Sequence, residues 1–129
     1  MRADTRNWVD SAEYDWVTAR ELLTAGRYVY VVFFCHLAIE KLLKAHVAEV
    51  TNSLPPRTHD LVSLIRTAGL DVPGRYLQFI GTISGQSVSV RFPDEIVHTV
   101  SEYPELVVRE YLRQTEEVLQ WLTQHPNLR

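Results

Sequence analysis

Cysteine is almost missing from this chain: Cys35 stands alone among 129 residues. That excludes an intramolecular disulfide and any zinc site built from several cysteines, and it suits a reducing compartment, so the expected location is cytoplasmic. No apolar run reaches the roughly 20 residues that a bilayer demands. The best stretch, Tyr28 to Ala38, is too short and contains His36. The N-terminus, Met-Arg-Ala-Asp-Thr-Arg-Asn, lacks the apolar segment of a secretory signal. Positive charge is not in excess either: 13 basic against 16 acidic residues leave a net charge of −3. Any site for RNA or a nucleotide therefore has to be a local basic patch. The scattered His36, His46, His59, His98 and His125 show no metal-ligand spacing, so no metal and no cofactor is expected. Repeats and low-complexity tracts are absent as well.

What is present is ordinary for a globular protein, with 46% apolar and 22% charged residues. At this length one domain over residues 1–129 is expected to bury its core unaided. Trp8, Ala12, Trp16, Ala19, Leu22 and Leu23 recur at helical spacing, which predicts a first helix from Trp8 ending at Gly26. The next segment opens Tyr-Val-Tyr-Val-Val-Phe-Phe, a strand-like string. It continues without a break to Val50 through strong helix formers, so length decides for one buried helix emerging at its Glu-Lys-Lys end.

Pro55 and Pro56 end that helix. Thr58 is the expected cap of a third helix from His59 to Ala68, closed by Gly69, and a short fourth helix covers Pro73 to Ser84 with Tyr76, Leu77, Ile80 and Ile83 inward. Gly85 to Ser101 reads as a long connection, the kind of segment that often carries function. A last helix from Glu102 to Gln124, with Pro104 in its first turn, turns Leu106, Val107, Tyr111, Leu112, Val118, Leu119 and Leu122 inward. The expected fold class is all-α, an up-and-down bundle of four to five helices.

His36, Glu40 and Lys44 lie four residues apart and share one helix face, with Lys41 to its side. The plain reading is an amphipathic stripe facing water, in which Glu40 and Lys44 pair for a few tenths of a kcal/mol. Within the long connection, Arg91 and His98 offer a second candidate: arginine clamps phosphate, and histidine moves protons near neutral pH. Such a pair suits RNA cleavage by the RNA's own 2′-hydroxyl. The plain alternative is a solvated arginine beside a histidine that caps the last helix.

Read together, several motifs resemble the HEPN domain family (higher eukaryotes and prokaryotes nucleotide-binding) over nearly the whole chain. The residues that carry the likeness are Trp8, Ala12 and Trp16; Gly26-Arg-Tyr; His36-Leu-Ala-Ile-Glu-Lys-Leu-Leu-Lys; His59-Asp-Leu; Arg91-Phe-Pro-Asp; and Tyr103. Arg91-Phe-Pro is similar to the Arg-Tyr-Pro signature of the nucleotidyltransferase-associated branch. The resemblance implies a helical bundle that forms a homodimer and acts with a minimal nucleotidyltransferase partner in a toxin–antitoxin pair. It implies nucleotide or RNA binding through His36, Glu40, Lys41, Lys44 and Arg91. Other members of the wider family are metal-independent endoribonucleases with four to six residues between an arginine and a histidine that meet across a dimer cleft, which makes Arg91 and His98, with six between them, the catalytic candidates.

Overall fold

In the computed structural model the described residues are 1–91 and 95–129, with backbone alone at 87–89 and 91. The chain forms α1 (Ala3–Thr24), α2 (Tyr28–Thr51), α3 (Leu61–Ala68), α4 (Gly74–Arg91), α5 (Ile96–Ser101) and α6 (Glu105–Gln124), then a 3-10 turn at Pro126–Leu128. Among the described residues there is no strand. The bundle is thus all-α, with one or two more helices than the spacing predicts.

The strand-like opening of α2 is helical because burial outweighs local preference. β-branched residues disfavour a helix by less than about 1 kcal/mol each. Fully burying such a side chain contributes about 1.5–3 kcal/mol. Val31, Val32, Cys35, Ile39 and Leu43 have no exposed surface, and α2 contacts every other α-helix. Its partner α1 runs antiparallel: Gly26 turns the chain at φ 75°, where Arg27 N donates to Leu22 O at 2.9 Å. At the far end of the pair, Arg2 N donates to Glu49 Oε2 at 3.2 Å.

Several boundaries differ from those read in the sequence. α1 begins at Ala3, five residues before Trp8. α4 continues through the serine-rich, glycine-containing stretch to Arg91, because Ile83 and Val90 are buried and Tyr111 donates from its hydroxyl to Gln86 Oε1. Tertiary contacts override weak helix formers there. Much of the expected connection is therefore helix, since α5 occupies its second half. In α4 the inward stripe is Phe79, Ile80 and Ile83, while Leu77 is 41% exposed. α6 starts only at Glu105 with Pro104 as its N-cap, and it buries Val108, Thr115, Val118, Leu119 and Leu122, with Tyr111 and Leu112 packed against the core. Leu106 and Val107 face out at 81% and 41% exposure.

The cap of α3 is Asp60 rather than Thr58. Asp60 Oδ1 accepts from the backbone of Val62 at 3.1 Å and Ser63 at 3.3 Å, while Thr58 Oγ1 accepts from Asp60 N. Asp60→Ala should lower the unfolding free energy by about 1 kcal/mol in urea titration. A change near zero would mean that water replaces the cap at no cost.

Cys35 and His46 are enclosed within the core. The Cys35 thiol is pushed up to about 12 by burial, so it is no nucleophile. His46 Nε2 donates to Leu122 O at 2.9 Å, satisfying a carbonyl in the last turn of α6, and Asn127 Nδ2 lies 3.4 Å from His46 Nδ1. Burial holds His46 down at about 4, with His125 packed edge-on at 5.4 Å.

Candidate functional site

α2 places His36, Glu40 and Lys44 on successive turns, as their spacing requires. The face they form does not look into water. His36 is 0%, Glu40 2% and Lys44 7% exposed. From α1, the Trp8 ring covers the Lys44 ammonium, 5.5 Å from Nζ to the ring centroid. From the loop before α3, His59 closes over Glu40, its Nδ1 2.9 Å from Oε1. Pro55 and Pro56 turn the chain so that this loop folds back on α2.

Glu40 is the hub. Its Oε2 accepts from Lys44 Nζ at 3.1 Å, and its Oε1 lies 3.7 Å from His36 Nδ1 as well as against His59. A carboxylate taken out of water needs this set of partners, because a lone buried charge costs several kcal/mol. Lys41 belongs to a separate pair. Its Nζ is 2.8 Å from Asp15 Oδ2 and donates to Ser11 Oγ at 2.8 Å. Lys41 and Lys44 are the chain's only lysines: Lys41 pairs across to α1, and Lys44 pairs within α2 beneath the Trp8 ring of α1.

The second candidate pair sits elsewhere. Arg91 is the last residue of α4, and its side chain lies outside the described residues, as does Phe92-Pro93-Asp94 altogether. His98 is on α5, with its side chain 72% exposed, and its Nε2 is 2.9 Å from Glu102 Oε1 one turn on. A carboxylate on one ring nitrogen orients the imidazole, leaving the other nitrogen for a ligand. The spacing of His98 and Glu102 was readable in the sequence, but only the helical state of α5 makes it a contact. Beside α5 a groove of about 270 Å³ runs along the start of α2, lined by Arg27, Tyr28, Tyr30, Ile96 and Val100. At its edge the Tyr28 hydroxyl donates to Glu105 Oε1 at 2.7 Å, tying α6 to α2.

The structure therefore divides the sequence candidates. It gathers His36, Glu40 and Lys44 with His59 and Trp8 in the interior, keeps Lys41 on the α1 side, and sets His98 on the surface. Sequence reasoning named Trp8 and His59 among the family motifs but not as partners of this face, and it missed Asp15, because contacts between elements leave no local signal. Among the described residues no group of three or more histidine, cysteine or acidic side chains could hold a metal. Among the same residues no helix is long and apolar enough to cross a membrane.

Comparison with known proteins settles the family. The HEPN domain profile matches residues 5–125. The chain belongs to the HEPN family. The crystal structure of TT1696 from Thermus thermophilus superposes on this HEPN protein with a TM-score of 0.79 at 21% identity, covering 95% of this chain and 98% of that one. The archaeal HEPN homologue ST0689 superposes with a TM-score of 0.74 at 22% identity, covering 95% and 97%. At these identities the likeness is one of fold. No curated protein sequence matches the chain at a significant level.

Proposed function

We propose that this HEPN protein is a nucleotide- or RNA-binding module whose contact surface is the α4–α5 segment carrying Arg91 and His98. The observation that carries the reading is His98, exposed on α5 and oriented by Glu102 at 2.9 Å, seven residues after Arg91 in a chain of HEPN type. Arg91 supplies a bidentate phosphate donor, and His98 supplies a second donor or a proton. His36, Glu40, Lys41 and Lys44 act behind this surface: they hold α1, α2 and the α3 loop in register and do not touch the ligand themselves. The 1–129 unit works as a homodimer in the cytoplasm. A minimal nucleotidyltransferase is its partner in a toxin–antitoxin pair, as in the branch that Arg91-Phe-Pro resembles.

Fluorescence anisotropy with a short labelled single-stranded RNA, and with nucleotides as competitors, tests this. Arg91→Ala should weaken RNA binding by about tenfold, the scale of one charge-assisted phosphate contact, and flatten the salt dependence. His98→Ala should leave binding within about threefold, because a histidine already paired to a carboxylate adds little to affinity. Absence of saturable binding to RNA or nucleotides ends the proposal.

The His98–Glu102 pair also favours a second reading, a metal-independent endoribonuclease. The RNA 2′-hydroxyl attacks the adjacent phosphorus and the 5′-oxygen leaves. Arg91 stabilises the phosphate charge, and His98 takes or returns the proton. With excess chelator present, cleavage should vanish in both Arg91→Ala and His98→Ala; equal cleavage by all three proteins exposes a contaminant.

A further inference from the structure

A different face of the bundle has no part in that chemistry. Three adjoining depressions run between α1 and α6 and over the outside of α1, with volumes of about 210, 200 and 320 Å³. Glu13 lines all three, and Asp10 lines two of them. The floor of the two between α1 and α6 is apolar: Val9, Ala12, Trp16, Leu42 and Leu119. Tyr14 stands at the outer edge, 77% exposed. The rim is acidic on both sides, with Asp10, Glu13 and Glu21 from α1 and Glu116 from α6. The basic side chain on this stretch of α1 is Arg20, whose guanidinium lies 5.6 Å from the Trp16 ring centroid.

We infer that this trough docks a cationic amphipathic helix of a protein partner. The charge selects the occupant. RNA and an anionic lipid surface are repelled by carboxylates on both sides of the trough. A second copy of the chain pairing through the same face would set those carboxylates against themselves. A segment bearing arginine or lysine at its flanks and leucine-like residues along its centre meets both the rim and the floor. It is a helix, because the described residues offer no strand edge to extend, whereas a trough between helices accepts apolar anchors at helical spacing. Along α1 the two depressions between the helices run from Val9 to Trp16, roughly 10 Å or about two turns. Docking here is independent of the nucleic-acid reading and stands without it.

The test uses the full chain and a labelled peptide of about 14 residues, built from leucine, alanine and arginine as an amphipathic helix, next to an isomer of the same composition with the pattern scrambled. The helix should bind at least about tenfold more tightly than its isomer. Glu13→Lys with Glu116→Lys should weaken it by about tenfold or more, while Asp71→Lys with Glu110→Lys, an equal change of charge elsewhere, should stay within about twofold. Lack of binding, equal affinity for both isomers, or equal loss in both variants overturns the proposal. So does a change in sedimentation of the unliganded Glu13→Lys/Glu116→Lys protein, which assigns the face to a second copy. RNA affinity, read in parallel, reports on Arg91 and His98 separately.

Discussion

Replacing Glu40 with alanine should lower the unfolding free energy by about 3–5 kcal/mol, the cost of removing one member of a buried charge pair. Lys44 would keep an ammonium that is almost fully enclosed, with only the Trp8 ring against it, and His59 would lose its hold on α2. For a chain of this size the midpoint of thermal unfolding should fall by roughly 10–20 °C. Urea titration measures the loss directly. A cost under about 1 kcal/mol, the value for exposed pairs, would show that the face is solvated. Replacing both partners, Glu40→Leu with Lys44→Met, should recover most of the stability, because no unpaired charge remains. RNA affinity should survive in that double variant if the network only supports the fold, and should be lost if these residues grip the ligand.

The second large effect is a dependence on pH that originates at His46. In the folded protein burial lowers this histidine from 6.5 to about 4. Between those values the unfolded chain binds a proton that the folded chain refuses, so stability rises with pH across the window. The contribution is complete above about pH 7. It shrinks as the pH falls through 6.5 and is gone below about 4, a total of about 3 kcal/mol. Protonation would also place a second N–H at Nδ1, against the Asn127 side-chain amide. Urea titrations from pH 7.5 to 4.5 should therefore show a steady loss in the native protein. His46→Gln, which keeps a donor for Leu122 O, should start less stable and remain nearly flat. A parallel slope in both proteins would place the titration elsewhere. The carboxylates with lowered pKa, Glu49, Glu105 and Glu110, begin to lose their contribution as the pH falls through about 4.5, at the acid end of this window, and that loss is common to the native protein and His46→Gln.

Both effects come from polar groups whose burial was invisible in the primary structure. The periodicity of α2 aligned His36, Glu40 and Lys44 correctly, yet a stripe of charge at helical spacing reads as a solvated face. It is enclosed because Trp8 arrives from α1 and His59 from a loop 19 residues further on than Glu40, contacts that no local pattern announces. The same limit applied to the stretch after Ser84. Its serines and glycine argue for a loop, whereas the burial of Val90 and the bond from Tyr111 favour the helix.

The helical spacing of apolar residues and the unbroken run of α2 determined an all-α bundle, because a long run of helix formers closes its backbone hydrogen bonds within itself wherever it sits. The motifs around Glu40 and Arg91 pointed to the HEPN family, which the profile over residues 5–125 bears out. Tertiary structure alone decided which charges face solvent. Burial depends on what the rest of the chain lays over a helix face, and that is set by side chains far away in sequence.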